Sequence, residues 1–112
     1  MIGAHVPTPE YLKPLFSGFF DPVPYAGDGL AVPDGNVPPG APIYWNGEYS
    51  RLKEWIDWLI QKHREGHYVA LLIPMGDSSE ARALIRYGIR RFIPDRRIFP
   101  EVRNVELVIL TG

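Results

Sequence analysis

Hydrophobic positions divide this chain into two parts of different character. From Ile43 onward they recur with clear periods. Ile43-Tyr44-Trp45 is a short apolar run of the kind a buried strand uses. Behind it Leu52, Trp55, Ile56, Leu59 and Ile60 stand at i, i+3, i+4, i+7 and i+8, which places them on one face of a helix. Ser50 is placed to cap that helix, and His63 and Arg64 complement its negative end. Gly66 suits the left-handed position just past it. Residues 68–73 are apolar without interruption until Pro74, the pattern of a strand covered on both faces. Met75-Gly76-Asp77 reads as a loop, and Ser78 or Ser79 opens a second helix through Ala81, Leu84 and Ile85 to Gly88. Residues 89–93 predict a strand bearing Arg90 and Arg91, residues 94–100 a turn, and residues 105–110 a last apolar strand.

Residues 43–110 therefore predict an α/β unit of order strand–helix–strand–helix–strand–strand. Strands that alternate with helices give a largely parallel sheet, and the helix-free last link gives an antiparallel closing strand.

Residues 1–42 follow no such period. They hold nine of the twelve prolines and six of the eleven glycines, so regular structure there is limited. One short helix is predicted, with Thr8 as N-cap, Pro9 at its first position and Glu10 in its first turn. Tyr11, Leu12, Leu15 and Phe16 form its apolar stripe, which ends near Gly18. Residues 23–42 read as loop, with turn chemistry at Gly27-Asp28-Gly29 and Pro33-Asp34-Gly35. At 112 residues the whole is expected to be one domain, an irregular N-terminal third joined to the α/β unit.

Composition changes the picture mainly by exclusion. There is no cysteine, which removes disulfides, thiolate metal sites and thiol nucleophiles. No stretch reaches the ~18 apolar residues of a membrane span. The first residues, MIGAHVPTPE, carry no basic stretch followed by an apolar run, so a cytoplasmic protein is expected. Scarce glutamine and frequent proline fit a thermophilic source.

The net charge of −1 hides an asymmetry. Residues 1–50 have one base against five acids, whereas residues 51–112 have eleven bases against eight acids. Seven of the nine arginines lie between Arg82 and Arg103. Arg90, Arg91, Arg96 and Arg97, interleaved with Phe92 and Phe99, could track a nucleic-acid backbone, or could protect a sheet edge by charge.

Several short pieces follow one another in an informative order: Val6-Pro7-Thr8-Pro9, Phe20-Asp21-Pro22, Asp28-Gly29-Leu30, Ile43-Tyr44-Trp45-Asn46, Tyr49-Ser50, Trp55, Leu71-Leu72-Ile73-Pro74, and Arg91-Phe92-Ile93 through Arg97-Ile98-Phe99. This order resembles the phage-type DNA N6-adenine methyltransferases, whose Rossmann-like sheet delivers Asn-Pro-Pro-Tyr-Ser before a Trp-containing helix. The resemblance implies that Asn46 and the Gly47 carbonyl receive the adenine amino group while Tyr49 stacks on the flipped base. It further implies S-adenosylmethionine as cofactor, with Asp21 near it, and DNA as partner. The Gly-x-Gly pair Gly27-Asp28-Gly29 is the candidate nucleotide loop, and a viral or mobile-element product whose fold serves an unrelated role is a third possibility. Two departures stand out. Asn46 is followed by Gly47-Glu48 instead of Pro-Pro, and only twenty-four residues separate Asp21 from Asn46, fewer than the family uses. A reduced or degenerate member, without methyl transfer, is the expectation.

Other constellations are thinner. Asn46-Gly47 also reads as a turn pair. His63 and His67 are four apart, but Gly66 intervenes and no third ligand stands near, so no metal is expected. Trp45, Trp55 and Trp58 read as core, with Trp58 off the main stripe. The alternative function is a non-catalytic nucleic-acid-binding or protein-interaction module. It would use the basic surface of residues 82–103, or form a homodimer through Trp58 and an uncovered sheet edge.

Overall fold

The computed structural model describes residues 8–22, 37–47, 49–92 and 105–112, with Tyr49 described in its backbone alone. Its regular elements are β1 (Ile43–Trp45), α1 (Leu52–Arg64), β2 (Val69–Pro74), α2 (Ser79–Tyr87), β3 (Ile89–Phe92) and β4 (Val105–Leu110). Short 3-10 turns occupy Lys13–Phe16 and Tyr49–Arg51.

The four strands form one mixed sheet in the order β1-β2-β4-β3. β1 and β2 are parallel, with Ile43 opposite Val69 and Trp45 opposite Leu71. β4 runs antiparallel to both β2 and β3 and lies between them. The closing strand is thus antiparallel, as the helix-free link predicts, but the sheet is not largely parallel as expected. β1, β2 and β3 point the same way, yet β4 inserts between β2 and β3, so only the β1–β2 pairing is parallel. Phe20 adds a parallel bridge on the free side of β1. Its N–H donates to the Pro42 carbonyl at 2.7 Å, and its carbonyl accepts from the Tyr44 N–H at 3.0 Å.

Period-two alternation along β2 feeds two cores. Val69, Leu71 and Ile73 meet Trp45, Val108 and Leu110 beneath the apolar stripes of α1 and α2. Ala70 and Leu72 meet Tyr44, Val105 and Ile109 on the other face, where Leu12, Phe16 and Phe19 pack. The Phe16 ring stacks on Tyr44 with centroids 3.9 Å apart. The N-terminal segment therefore covers the face that the helices leave bare. Both faces of β2 are buried, which is why its sequence is a continuous apolar run. Each fully buried leucine there, such as Leu71 or Leu72, is worth about 1.5–3 kcal/mol of transfer free energy.

Helix ends follow local chemistry. At the end of α1, Gly66 has φ +103°, its N–H reaches the His63 carbonyl, and the His67 N–H reaches Lys62. That paired closure satisfies two orphan carbonyls. Ser78 caps α2, its Oγ accepting from the Ala81 N–H at 3.1 Å, and Gly88 with φ +119° ends it.

Two local expectations change. The N-terminal helix shrinks to the 3-10 turn Lys13–Phe16, without a side-chain cap. Pro14 sits in its first turn, and Tyr11 and Leu15 of the expected stripe stay 66% and 59% exposed. Thr8 spends its hydroxyl elsewhere, as described below. Ser50 likewise lies inside the Tyr49–Arg51 turn, and Arg51 takes the N-cap position of α1 without a side-chain capping bond.

Candidate functional site

Because β1, β2 and β3 are co-directional, their carboxyl ends share one edge of the sheet, the edge at which α/β proteins bind ligands. Asn46 leaves β1 there, and Met75-Gly76-Asp77 leaves β2 there. Asp21, half-buried, follows the Phe20 bridge in the same direction. Three pieces far apart in the chain thus reach a common edge.

Asn46 is held tightly. It is 4% exposed, and its Nδ2 donates to Thr8 Oγ1 at 3.1 Å. The same Thr8 oxygen lies 2.7 Å from the Tyr44 hydroxyl. One hydroxyl therefore ties the segment ahead of the N-terminal turn to Tyr44 within β1 and to Asn46 at its exit. Fixing Nδ2 in this way also fixes where the carboxamide oxygen points. Thr8 was visible in sequence only as a helix cap or as part of the Thr-Pro piece. Its pairing with a residue 38 positions away had no local signal.

Gly47 is buried beside Asn46, against the Trp45 indole. That indole is fully buried, and its Nε1–H meets no acceptor among the described residues. Tyr49 begins the 3-10 turn into α1, but its side chain lies outside the described residues, as do Gly27, Gly29, Arg96 and Arg97.

The basic residues of β3 part company. Arg90 stands opposite Ile109, on the sheet face covered by the N-terminal segment, while Arg91 stands opposite Val108, on the helix-covered face. Arg91 grips Glu106 through two bonds, Nε to Oε1 and Nη2 to Oε2, both at 2.8 Å. Hydrogen bonding to Glu106 raises the Arg91 guanidinium above its already high ordinary pKa. Its charge is committed within the sheet, whereas Arg90 is exposed. Glu106, buried opposite Ile73, carried no sequence signal as a partner.

The two histidines go separate ways. His67 Nδ1 meets the Ala41 carbonyl at 2.6 Å, and His63 Nδ1 meets the Tyr87 hydroxyl. Among the described residues no three His, Asp or Glu side chains gather as a metal site. Trp55 packs in the core, while Trp58 is half-buried beside it with the Lys62 ammonium 5.5 Å over its ring. No helix among the described residues is long and apolar enough to cross a membrane.

The class defined by these elements is a mixed α/β fold, with a four-stranded sheet and two helices on one face. No family model, curated protein or solved structure matches the chain.

Proposed function

We propose that this chain is a reduced, Rossmann-like relative of the DNA N6-adenine methyltransferases that keeps the adenine-recognising edge and has lost methyl transfer. One observation carries the reading. The Thr8 hydroxyl clamps the Asn46 carboxamide at the carboxyl end of β1, joining the Thr-Pro piece to the Asn piece of the resemblance. The Asn46 oxygen and the Gly47 carbonyl would accept from an adenine amino group, a match that rejects bases lacking that donor. Two facts favour loss of transfer. The stretch between Asp21 and Asn46 is short, and the carboxamide is 4% exposed, so a base must displace its cover to reach it.

Recognition is tested with single-stranded oligonucleotides carrying either adenine or purine, which lacks the amino group. Adenine binds about tenfold tighter, a difference of about 1.4 kcal/mol, and Asn46→Ala removes the preference. Equal binding of both oligonucleotides by the wild type overturns the reading. Cofactor retention is tested separately by thermal denaturation with S-adenosylmethionine. A cofactor at 100 Kd would add about 2.7 kcal/mol of stability. No shift is expected at millimolar concentration, and a saturable shift would restore the enzyme.

A second reading, a non-catalytic nucleic-acid-binding module, draws on the exposed Arg82, Arg86 and Arg90, for which no acidic partner occurs among the described residues. It requires retention on DNA at about 50 mM salt that falls steeply as salt rises.

A further inference from the structure

The helix-covered face opens at the edge of the sheet opposite Asn46. α1 ends at Arg64 before β2 begins, α2 ends at Tyr87 before β3 begins, and Gly112 follows the antiparallel β4. These ends meet at the amino edge of the co-directional strands. Between them lies an open groove of about 570 Å³, lined by Ile60, Arg64, Ala83, Arg86, Tyr87 and Gly112. That volume is in the range of small-molecule sites.

Its chemistry is mixed. Ile60 and Ala83 supply an apolar floor, and each helix contributes one guanidinium. No acidic side chain among the described residues pairs with Arg64 or Arg86. The Arg64 guanidinium lies over the Tyr87 ring, 5.3 Å from its centre, and the Tyr87 hydroxyl is itself held by His63. Cations at helix ends complement the dipole, which accounts for the charge of both arginines. It does not account for a stacked guanidinium beside an apolar hollow. Stacking limits the rotamer freedom of Arg64 in advance, so less order is lost when it takes a ligand. A planar guanidinium fork matches phosphate oxygens in pairs.

We propose that this groove binds a phosphate-bearing small molecule, with the phosphate held between Arg64 and Arg86 and an apolar or planar body laid on Ile60 and Ala83. The site is independent of the adenine edge, since it sits on the other side of the sheet.

The test is an NMR titration of the full chain at constant ionic strength, with inorganic phosphate and with uridine monophosphate as probes. Uridine lacks the adenine amino group, so failure here leaves the Asn46 reading untouched. Saturable shifts are expected at the amides of Ala83, Tyr87 and Gly112, with the nucleotide at least tenfold tighter than phosphate. Arg86→Gln weakens the nucleotide about tenfold. Arg64→Lys does the same although it keeps the charge, because the planar fork is lost. Lys53→Gln, on the same helix as Arg64 but outside the groove, changes nothing. The proposal is overturned by absence of saturable shifts, by shifts that map elsewhere, or by equal affinity for the two probes. It is also overturned by equal weakening in Lys53→Gln, or by tighter binding of a hexaglutamate peptide than of the nucleotide.

Discussion

The Trp45 indole occupies the space that any side chain at position 47 would need. A Cβ built on Gly47 would stand 2.8 Å from Trp45 Cζ2 and 3.1 Å from Cε2. Glycine at this position is therefore a steric consequence of tryptophan two residues earlier, and any residue with a Cβ, proline included, would meet this ring. Gly47→Ala should cost about 1–3 kcal/mol by overpacking, read from urea denaturation. In a Trp45→Phe background, where the outer indole ring is gone, the added cost of Gly47→Ala should fall below about 0.5 kcal/mol. Equal costs in both backgrounds would mean that the indole is not the obstacle.

Arg91 and Glu106 are bonded twice but unequally buried, their side chains being 37% and 6% exposed. Removing either partner should therefore not be symmetric. Arg91→Ala strands a buried carboxylate and should cost about 2–3 kcal/mol. Glu106→Gln leaves a guanidinium that water still reaches, at about 1 kcal/mol. Urea denaturation of the two single variants reads the difference. A loss in Arg91→Ala no larger than that in Glu106→Gln would contradict this account.

Thr8→Val keeps the shape of the side chain and deletes its hydroxyl, which touches both Asn46 and Tyr44. The loss should be about 1–2 kcal/mol by chemical denaturation. The adenine-over-purine preference should shrink with it, because the carboxamide loses its orienting contact. Unchanged preference in a folded Thr8→Val protein would show that Thr8 is a structural tie alone.

Ser78, expected from sequence as a cap, accepts from the Ala81 N–H of α2. Ser78→Ala should lower stability by about 1 kcal/mol. Hydrogen exchange reads the same loss locally: in Ser78→Ala, protection should fall at the first turn of α2 and persist at the first turn of α1.

Much of the α/β unit was legible because its information is local. The stripe Leu52, Trp55, Ile56 and Leu59 is buried as its spacing requires, and Gly66 and Gly88 adopt positive φ where the helices end. The unbroken apolar run of β2 reported burial on both faces before any partner was known. Asn46 at the exit of β1 was legible too, as a strand end before a helix. What remained out of reach was pairing. Sequence periodicity says which face of an element is apolar, not which segment will cover it. Hence β4 inserting between β2 and β3 was not foreseeable, nor was the N-terminal segment roofing the second sheet face. The same holds for side chains. Arg91 reads as a free cation until the register sets it near Glu106, 15 residues on, and Thr8 reads as a cap until folding brings Asn46 to it. Chain neighbours determine the local conformation, whereas the choice among long-range partners is made only when the whole set of surfaces is buried together.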